Sequence, residues 1–232
     1  MKHKVQFQVG LGNMKKSLLL FSLFLITFSA FSQAFKTVKI DSLVTVTLPA
    51  VYNEKDTLGR QTFTAKSAYG FIVIARIPNA PHNPPLKKEK DLKKVFKAYV
   101  KEVVQVGNGS LLDERDTTVG TLKAHLFTLK TQDDNGDIQF RRFLFIYTND
   151  ASYSFQYFYK EGQADMISDE VKSYFNSIKL APGLQRNDQY LTSNGKGLPG
   201  GLKALLYGGG GFIVILIIVF ATISRRKRKK VA

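Results

Sequence analysis

The sequence predicts an α+β domain, an antiparallel β-sheet flanked by helices in an α/β/α sandwich, followed by one C-terminal transmembrane helix. Three observations carry this. Across much of residues 42–160 the apolar residues recur at every second position, the period of a strand. Two segments, 86–106 and 165–178, switch to a spacing of three and four, the period of a helix with one buried stripe. Residues 205–223 then run 19 positions without a charge, and six cations follow almost at once.

At the N-terminus, Lys15 and Lys16 precede an apolar run over 18–31. A basic region, a short hydrophobic segment and small residues after it make a secretory signal over 1–33. Cleavage is expected after Gln33 or Ala34, although the Ala-x-Ala pattern is absent. Met14 stands directly before Lys15, so residues 1–13 read as an extension ahead of the signal.

The domain is expected over 34–180. Leu43-Val44-Thr45-Val46-Thr47-Leu48 alternates and stops at Pro49, as a strand does. Residues 61–65 give a short strand, and 70–77 a nearly all-apolar one that belongs inside the sheet. After the first helix come strands at 110–119, 121–131, 138–147 and 152–160. The last three are joined by short polar turns, Asp133-Asp134-Asn135-Gly136-Asp137 and Thr148-Asn149-Asp150, so these neighbours pair antiparallel.

Of the two helices, 86–106 places Leu92, Val95, Phe96, Tyr99, Val100 and Val103 on one stripe, with lysines off it. Pro84-Pro85 starts it and Gly107 with Gly109 ends it. The second carries Ile167, Val171, Tyr174, Phe175 and Ile178 on one face. A single apolar stripe on each means that each helix lies on a sheet face.

Residues 181–204 read as a flexible linker, with turn formers throughout and no sustained period. The stretch 205–224 is long enough to span, at ~1.5 Å per residue against a ~30 Å hydrocarbon core. Arg225, Arg226, Lys227, Arg228, Lys229 and Lys230 fix the orientation, because cations beyond a span stay cytoplasmic. The domain is therefore expected outside the cytoplasm, on a bacterial inner membrane crossed once, with 225–232 as a basic cytoplasmic tail. The tail as a whole resembles the C-terminal sorting signals of bacterial surface proteins. Leu198-Pro199-Gly200-Gly201 is similar to a sortase motif but lacks the Thr-Gly pair, which leaves processing at the Gly-rich signal as the alternative to a permanent anchor.

The formal net charge is +16, but four lysines before residue 34 and six basic residues after 204 supply ten of it. The +6 left on 34–204 is ordinary for a soluble domain, and no nucleic-acid partner is expected. The absence of cysteine excludes disulfides, thiolate catalysis and cysteine-ligated metals.

The element order resembles the PsbP-like α/β/α sandwich, a superfamily that includes the Mog-type Ran-binding proteins. The matching details are the Thr47-Leu48-Pro49 strand end, the Gly-aromatic-apolar strand at 70–74, and a last helix closing on Phe175-x-x-Ile178. What the resemblance implies is a protein-binding or assembly module; no functional residue of the family maps onto a numbered position here.

Legible chemistry is sparse. Asp133-x-Asn135-x-Asp137 has the oxygen spacing of a calcium-loop opening, yet Ile138 stands where the loop needs glycine and Leu144 where it needs a bidentate glutamate. Asn135-Gly136 between two β runs reads as a hairpin turn. Within 34–204 only His82 and His125 offer imidazoles, the former in a Pro-rich loop and the latter expected on the polar face of its strand. No Gly-x-Ser-x-Gly elbow exists. Asp113, Glu114 and Asp116 are the only candidates for an acid–base pair, and they read as polar positions on a strand and turn.

The strand 152–160 stands apart, with Tyr153, Phe155, Tyr157 and Tyr159 on one face. That face either packs under the helices or forms a partner or ligand surface. The expected function is a membrane-anchored extracytoplasmic binding or assembly module, without catalytic activity, cofactor or metal, whose partners are the bilayer and a protein. The alternative is a small-ligand carrier, or an enzyme whose site gathers only in three dimensions.

Overall fold

The computed structural model describes residues 34–80, 84–133 and 135–191. The signal segment, the stretch 205–223, the cations at 225–230, His82 and most of the predicted linker lie outside the described residues. Among those residues no helix is long and apolar enough to cross a membrane.

Among the described residues ten strands and two α-helices follow one another: β1 (Phe35–Lys39), β2 (Val44–Pro49), β3 (Tyr52–Thr57), β4 (Arg60–Lys66), β5 (Phe71–Pro78), α1 (Glu89–Gly107), β6 (Ser110–Val119), β7 (Leu122–Gln132), β8 (Ile138–Tyr147), β9 (Ala151–Lys160), α2 (Ser168–Asn176) and β10 (Lys179–Leu180). Strands β3 to β9 form one seven-stranded sheet in the order β3-β4-β5-β9-β8-β7-β6, and β1-β2-β10 form a second of three strands. Every strand pair is antiparallel. The fold class is α+β, as expected from the two periods in the sequence.

Both faces of the large sheet are covered, which explains why β9 shows seven buried residues in a row. On one face Tyr153, Phe155 and Tyr157 join Phe63, Ile72, Ile74, Leu144 and Ile146 beneath the small sheet and α2. On the other, Val73, Phe127, Leu129, Phe143 and Phe145 pack under α1 through Leu92, Val95, Phe96, Tyr99, Val100 and Val103. Each large side chain buried this way contributes about 1.5–3 kcal/mol, and without disulfides these two cores carry the stability.

Helix α1 begins at Glu89, three residues later than its apolar stripe suggests. The backbone of Leu86 is already engaged, bridging in parallel with Tyr190 and accepting the Leu191 N–H at 2.7 Å. Glu89 and Asp91 in the first turn complement the helix dipole. At the other end Asn108 takes a left-handed conformation, φ 45°, which stops the helix. Helix α2 is shorter than the pattern 165–178, because residues 164–166 form a turn and Ile167 is the cap.

The folded body does not end at 180. Leu184, Gln189 and Tyr190 are buried, and the side chain of Gln189 bonds to both backbone groups of Lys123 and to the Tyr147 carbonyl. Residues 181–191 therefore belong to the domain, not to the linker. Their turn formers, Pro182-Gly183 and Asn187-Asp188, shape an ordered return across the sheet end and carry no apolar period to betray it.

Candidate functional site

The face of β9 expected as a candidate surface is core. Tyr153, Phe155 and Tyr157 are fully buried, and Tyr159, half-buried, stacks on Phe140 with centroids 5.2 Å apart. No ligand can lie on this face while the small sheet and α2 cover it. The phenols find partners inside: Tyr157 Oη shares a hydrogen bond with Ser67 Oγ at 2.9 Å, and Tyr153 Oη donates to Asp41 Oδ2 at 2.6 Å. Both are pushed well above the usual phenol range, by burial first and in Tyr153 also by the Asp41 carboxylate. Gly70 makes room for the Tyr157 ring, since a methyl there would collide with that ring and with the Phe158 carbonyl. The glycine at the head of this strand is thus a packing requirement.

The remaining candidates gather at the β6 edge, where sequence reasoning placed only scattered polar positions. A β-bulge between Leu112 and Arg115, with Asp113 at φ 52°, resets the register of β6 on β7. Asp116 lies opposite His125, and Glu114 reaches the same ring. His125 Nδ1 lies 2.8 Å from Asp116 Oδ1 and its Nε2 lies 3.1 Å from Glu114 Oε1. The imidazole is buried, against the expectation that it sits on a polar face, and stacks on Phe96 with centroids 5.3 Å apart. Asp116 is held below its ordinary value: partial burial would raise it, but the His125 hydrogen bond and the Lys93 ammonium outweigh that. Lys93 and Lys123 extend the network to Glu89, Lys123 at 2.6 Å.

The imidazole of this cluster is buried, while its two carboxylates lie exposed on the outer strand. Each ring nitrogen lies within hydrogen-bond distance of a carboxylate oxygen, which fixes the ring between the two acids. Among the described residues no group of three or more metal-ligating side chains is poised to hold an ion. The Asp133 carboxylate is engaged within its own hairpin: Oδ1 accepts the Asn135 and Asp137 N–H groups at 3.0 and 2.9 Å, and Oδ2 accepts from the Gln139 side-chain amide. Gly136 at φ 86° completes a hairpin turn.

Beside the cluster runs an open groove of about 540 Å³ between α1 and β6, lined by Lys97, Val100, Lys101, Val104, Gln105, Leu111 and Glu114. Its floor is aliphatic, two ammonium groups stand on the helix side, and Glu114 closes the strand side. Strand β6 is an outer strand of the large sheet. An aliphatic floor, charged walls and an unpaired strand edge together suit an extended chain segment better than a small molecule, which favours enclosure.

Three internal charges escaped sequence reasoning. Arg76 Nε donates to Asp41 Oδ2 at 2.6 Å across the two sheets, and Arg141 stacks over Phe158 at 4.1 Å, its pKa pushed down to about 10 by burial. The Glu102 carboxyl is raised by burial alone. Arg76 and Arg141 occupy strand positions whose parity is that of core residues, and that parity is the signal that could have found them.

No family model matches the chain, and no curated protein matches it. Among solved structures, one from Bacteroides thetaiotaomicron is 13% identical with a TM-score of 0.37, covering 60% of this chain and 46% of that one, so this chain spans less than half of its length. A second, the Mycobacterium tuberculosis protein LpqN, described as involved in cell envelope biogenesis, is 10% identical with a TM-score of 0.42, covering 64% of this chain and 91% of its own. Likeness at this level does not extend to activity.

Proposed function

We propose that this chain is a membrane-anchored extracytoplasmic module that binds a protein partner, with a PsbP-like fold and no reaction of its own. The sequence supplies the placement: a secretory signal at one end, and at the other an uncharged stretch over 205–223 followed by six cations. The observation that supports binding is the groove between α1 and β6. It joins an aliphatic floor to an outer strand edge, the pairing that accepts an extended peptide by strand addition. Ammonium groups at Lys97 and Lys101 favour a partner segment with acidic side chains. The residues that would otherwise suggest catalysis, His125, Glu114 and Asp116, are consumed in holding β6, β7 and α1 together.

The test is in-cell photo-crosslinking of the tagged full-length chain with the photoreactive residue at Gln105, an exposed groove position. A discrete protein adduct is expected, and Val104→Asp, which puts a charge on the half-buried groove floor, is expected to abolish it in a chain that unfolds at a lower temperature but still cooperatively. An adduct that persists in Val104→Asp would remove the groove as the binding site.

A further inference from the structure

The outer pole of α1 carries a row of cations. At about 100° per residue, Lys90, Lys94, Lys97 and Lys101 fall within an arc of about 60°, opposite the stripe of Leu92, Phe96, Tyr99 and Val103 that meets the sheet. Lys90, Lys94, Lys97 and Lys101 are exposed. Lys94 Nζ lies 3.5 Å from Asp91, and among the described residues no carboxylate pairs with Lys90, Lys97 or Lys101. Of the helix's acids only Asp91 meets the row, at Lys94; Glu89 pairs with Lys123, and Glu102 is half-buried. A row of like charges on one helix costs self-repulsion, and nothing in the packing of α1 requires it.

A second observation says what faces this row. The described chain leaves the body at Tyr190–Leu191, bonded to Leu86, three residues before α1 begins. Residues 192–204 then separate Leu191 from the uncharged stretch at 205–223, a reach of at most about 45 Å at ~3.5 Å per residue. An anchor there tethers the protein at the very end of the lysine row. Where a leaflet carries anionic headgroups, its negative surface potential acts within about a Debye length and attracts lysines held near it.

We infer that the lysine row of α1 docks on anionic lipid headgroups of the membrane that holds the anchor. The inference rests on the anchored reading above. Docking through this pole sets the large sheet's α1 face toward the bilayer and the small sheet away from it. The groove, which opens on the flank of the same helix, then lies close to the lipid surface, where it meets segments of membrane-bound partners.

The absence of cysteine makes the test direct. The full-length chain is labelled with a donor fluorophore at Gln105→Cys, on α1, or at Leu58→Cys, on the β3–β4 turn at the far edge of the sheet. Each is reconstituted in phosphatidylcholine vesicles, or in an equal mixture with phosphatidylglycerol, bearing headgroup acceptors. Expected is strong transfer from the α1 label, exceeding that from the Leu58 label, in the anionic vesicles alone, and its decline as salt is raised. Converting Lys90, Lys94, Lys97 and Lys101 to Gln is expected to lower the docked-to-undocked ratio about fivefold for each lysine neutralised. Failure to co-float with neutral vesicles would overturn the anchor and the docked pose with it. Co-flotation with equal transfer from both labels, whatever the lipid charge, would overturn docking alone. Lipid-dependent transfer that the four substitutions leave unchanged would overturn the lysine row as its cause.

Discussion

Asp41 ties the two sheets together. One oxygen accepts the Leu43 and Val44 N–H groups at 2.9 and 3.0 Å, and the other accepts Arg76 Nε and Tyr153 Oη, both at 2.6 Å. Its carboxyl is held below the ordinary value of 3.8: burial acts to raise it, but the Tyr153, Leu43 and Arg76 hydrogen bonds together prevail. Because the folded-state value is the lower one, the unfolded chain takes up the proton more readily. The contribution is therefore complete above about pH 4 and is lost as the pH falls through the folded value. Asp41→Asn is expected to lower the unfolding free energy by about 2–3 kcal/mol at neutral pH, since it leaves Arg76 with a weaker acceptor. The gap to wild type should be smaller at about pH 3, where the unfolded chain binds this proton while the folded one resists it. Urea titrations at both values check this; a gap independent of pH would mean that the charge contributes nothing. None of this network was legible beforehand, because a lone Asp in a turn gives no hint of which distant side chains will reach it. Arg76 at a core parity was the one available clue, and it looked like noise in a strand otherwise apolar.

Elements were more readable than residues wherever burial imposes a period. The apolar run 70–77 lies inside the sheet as β5, and the stripe from Leu92 to Val103 does meet the core. Tyr52–Thr57 was missed because it is an outer strand whose side chains are almost all exposed, so its sequence YNEKDT needs no alternation. Strands β1 and β10 were missed for want of length and burial. The face of β9 was ambiguous for a different reason. A strand covered on both sides shows aromatic residues whether they pack or display, and only the small sheet over them decides it. At the opposite edge, the β6 bulge and the run Asp113, Glu114, Arg115 and Asp116 limit strand addition to Ser110–Leu112, ahead of the bulge and beside the groove. The bulge depends on Asp113 at φ 52°, a conformation that Asp tolerates and a β-branched residue resists. Asp113→Val is expected to cost about 1–2 kcal/mol and to loosen the Glu114 and Asp116 contacts to His125. Thermal unfolding measures the first. The second appears as a change in the His125 ring resonances, which should stay put if the bulge is not what aims the carboxylates.

The whole molecule is closed by the segment that sequence patterning assigned to the linker. Gln189 Nε2 donates to the Lys123 and Tyr147 carbonyls at 2.7 and 2.9 Å, and its Oε1 accepts the Lys123 N–H at 2.7 Å, all with Gln189 fully buried. These bonds stitch the start of β7 to the end of β8 where the strands run out of neighbours to pair with. Next to them Tyr190 joins the core under α1 and bridges Leu86. A chain cut after Leu180, where the apolar pattern stops, would lose Leu184, Gln189 and Tyr190 together and leave three buried backbone groups without partners. Each such group costs about 1–3 kcal/mol, on a domain whose total stability is of order 5–15 kcal/mol. The cut at Leu180 is thus expected to leave the domain partly unfolded at room temperature, whereas a cut after Leu191 leaves it intact. Gln189→Ala in the full chain should fall between, by about 3 kcal/mol. Limited proteolysis and circular dichroism of the three proteins distinguish them, and equal resistance of the two truncated forms would show that residues 181–191 only lie on the body. The same closure bears on the anchored reading. Any pull from 205–223 enters the fold through Leu191 and Leu86, and so loads the entrance to α1 before it loads either sheet. Weakening Gln189 should therefore release the tether point before the domain unfolds, and proteolytic sensitivity at 181–191 should appear at lower urea than loss of the β signal.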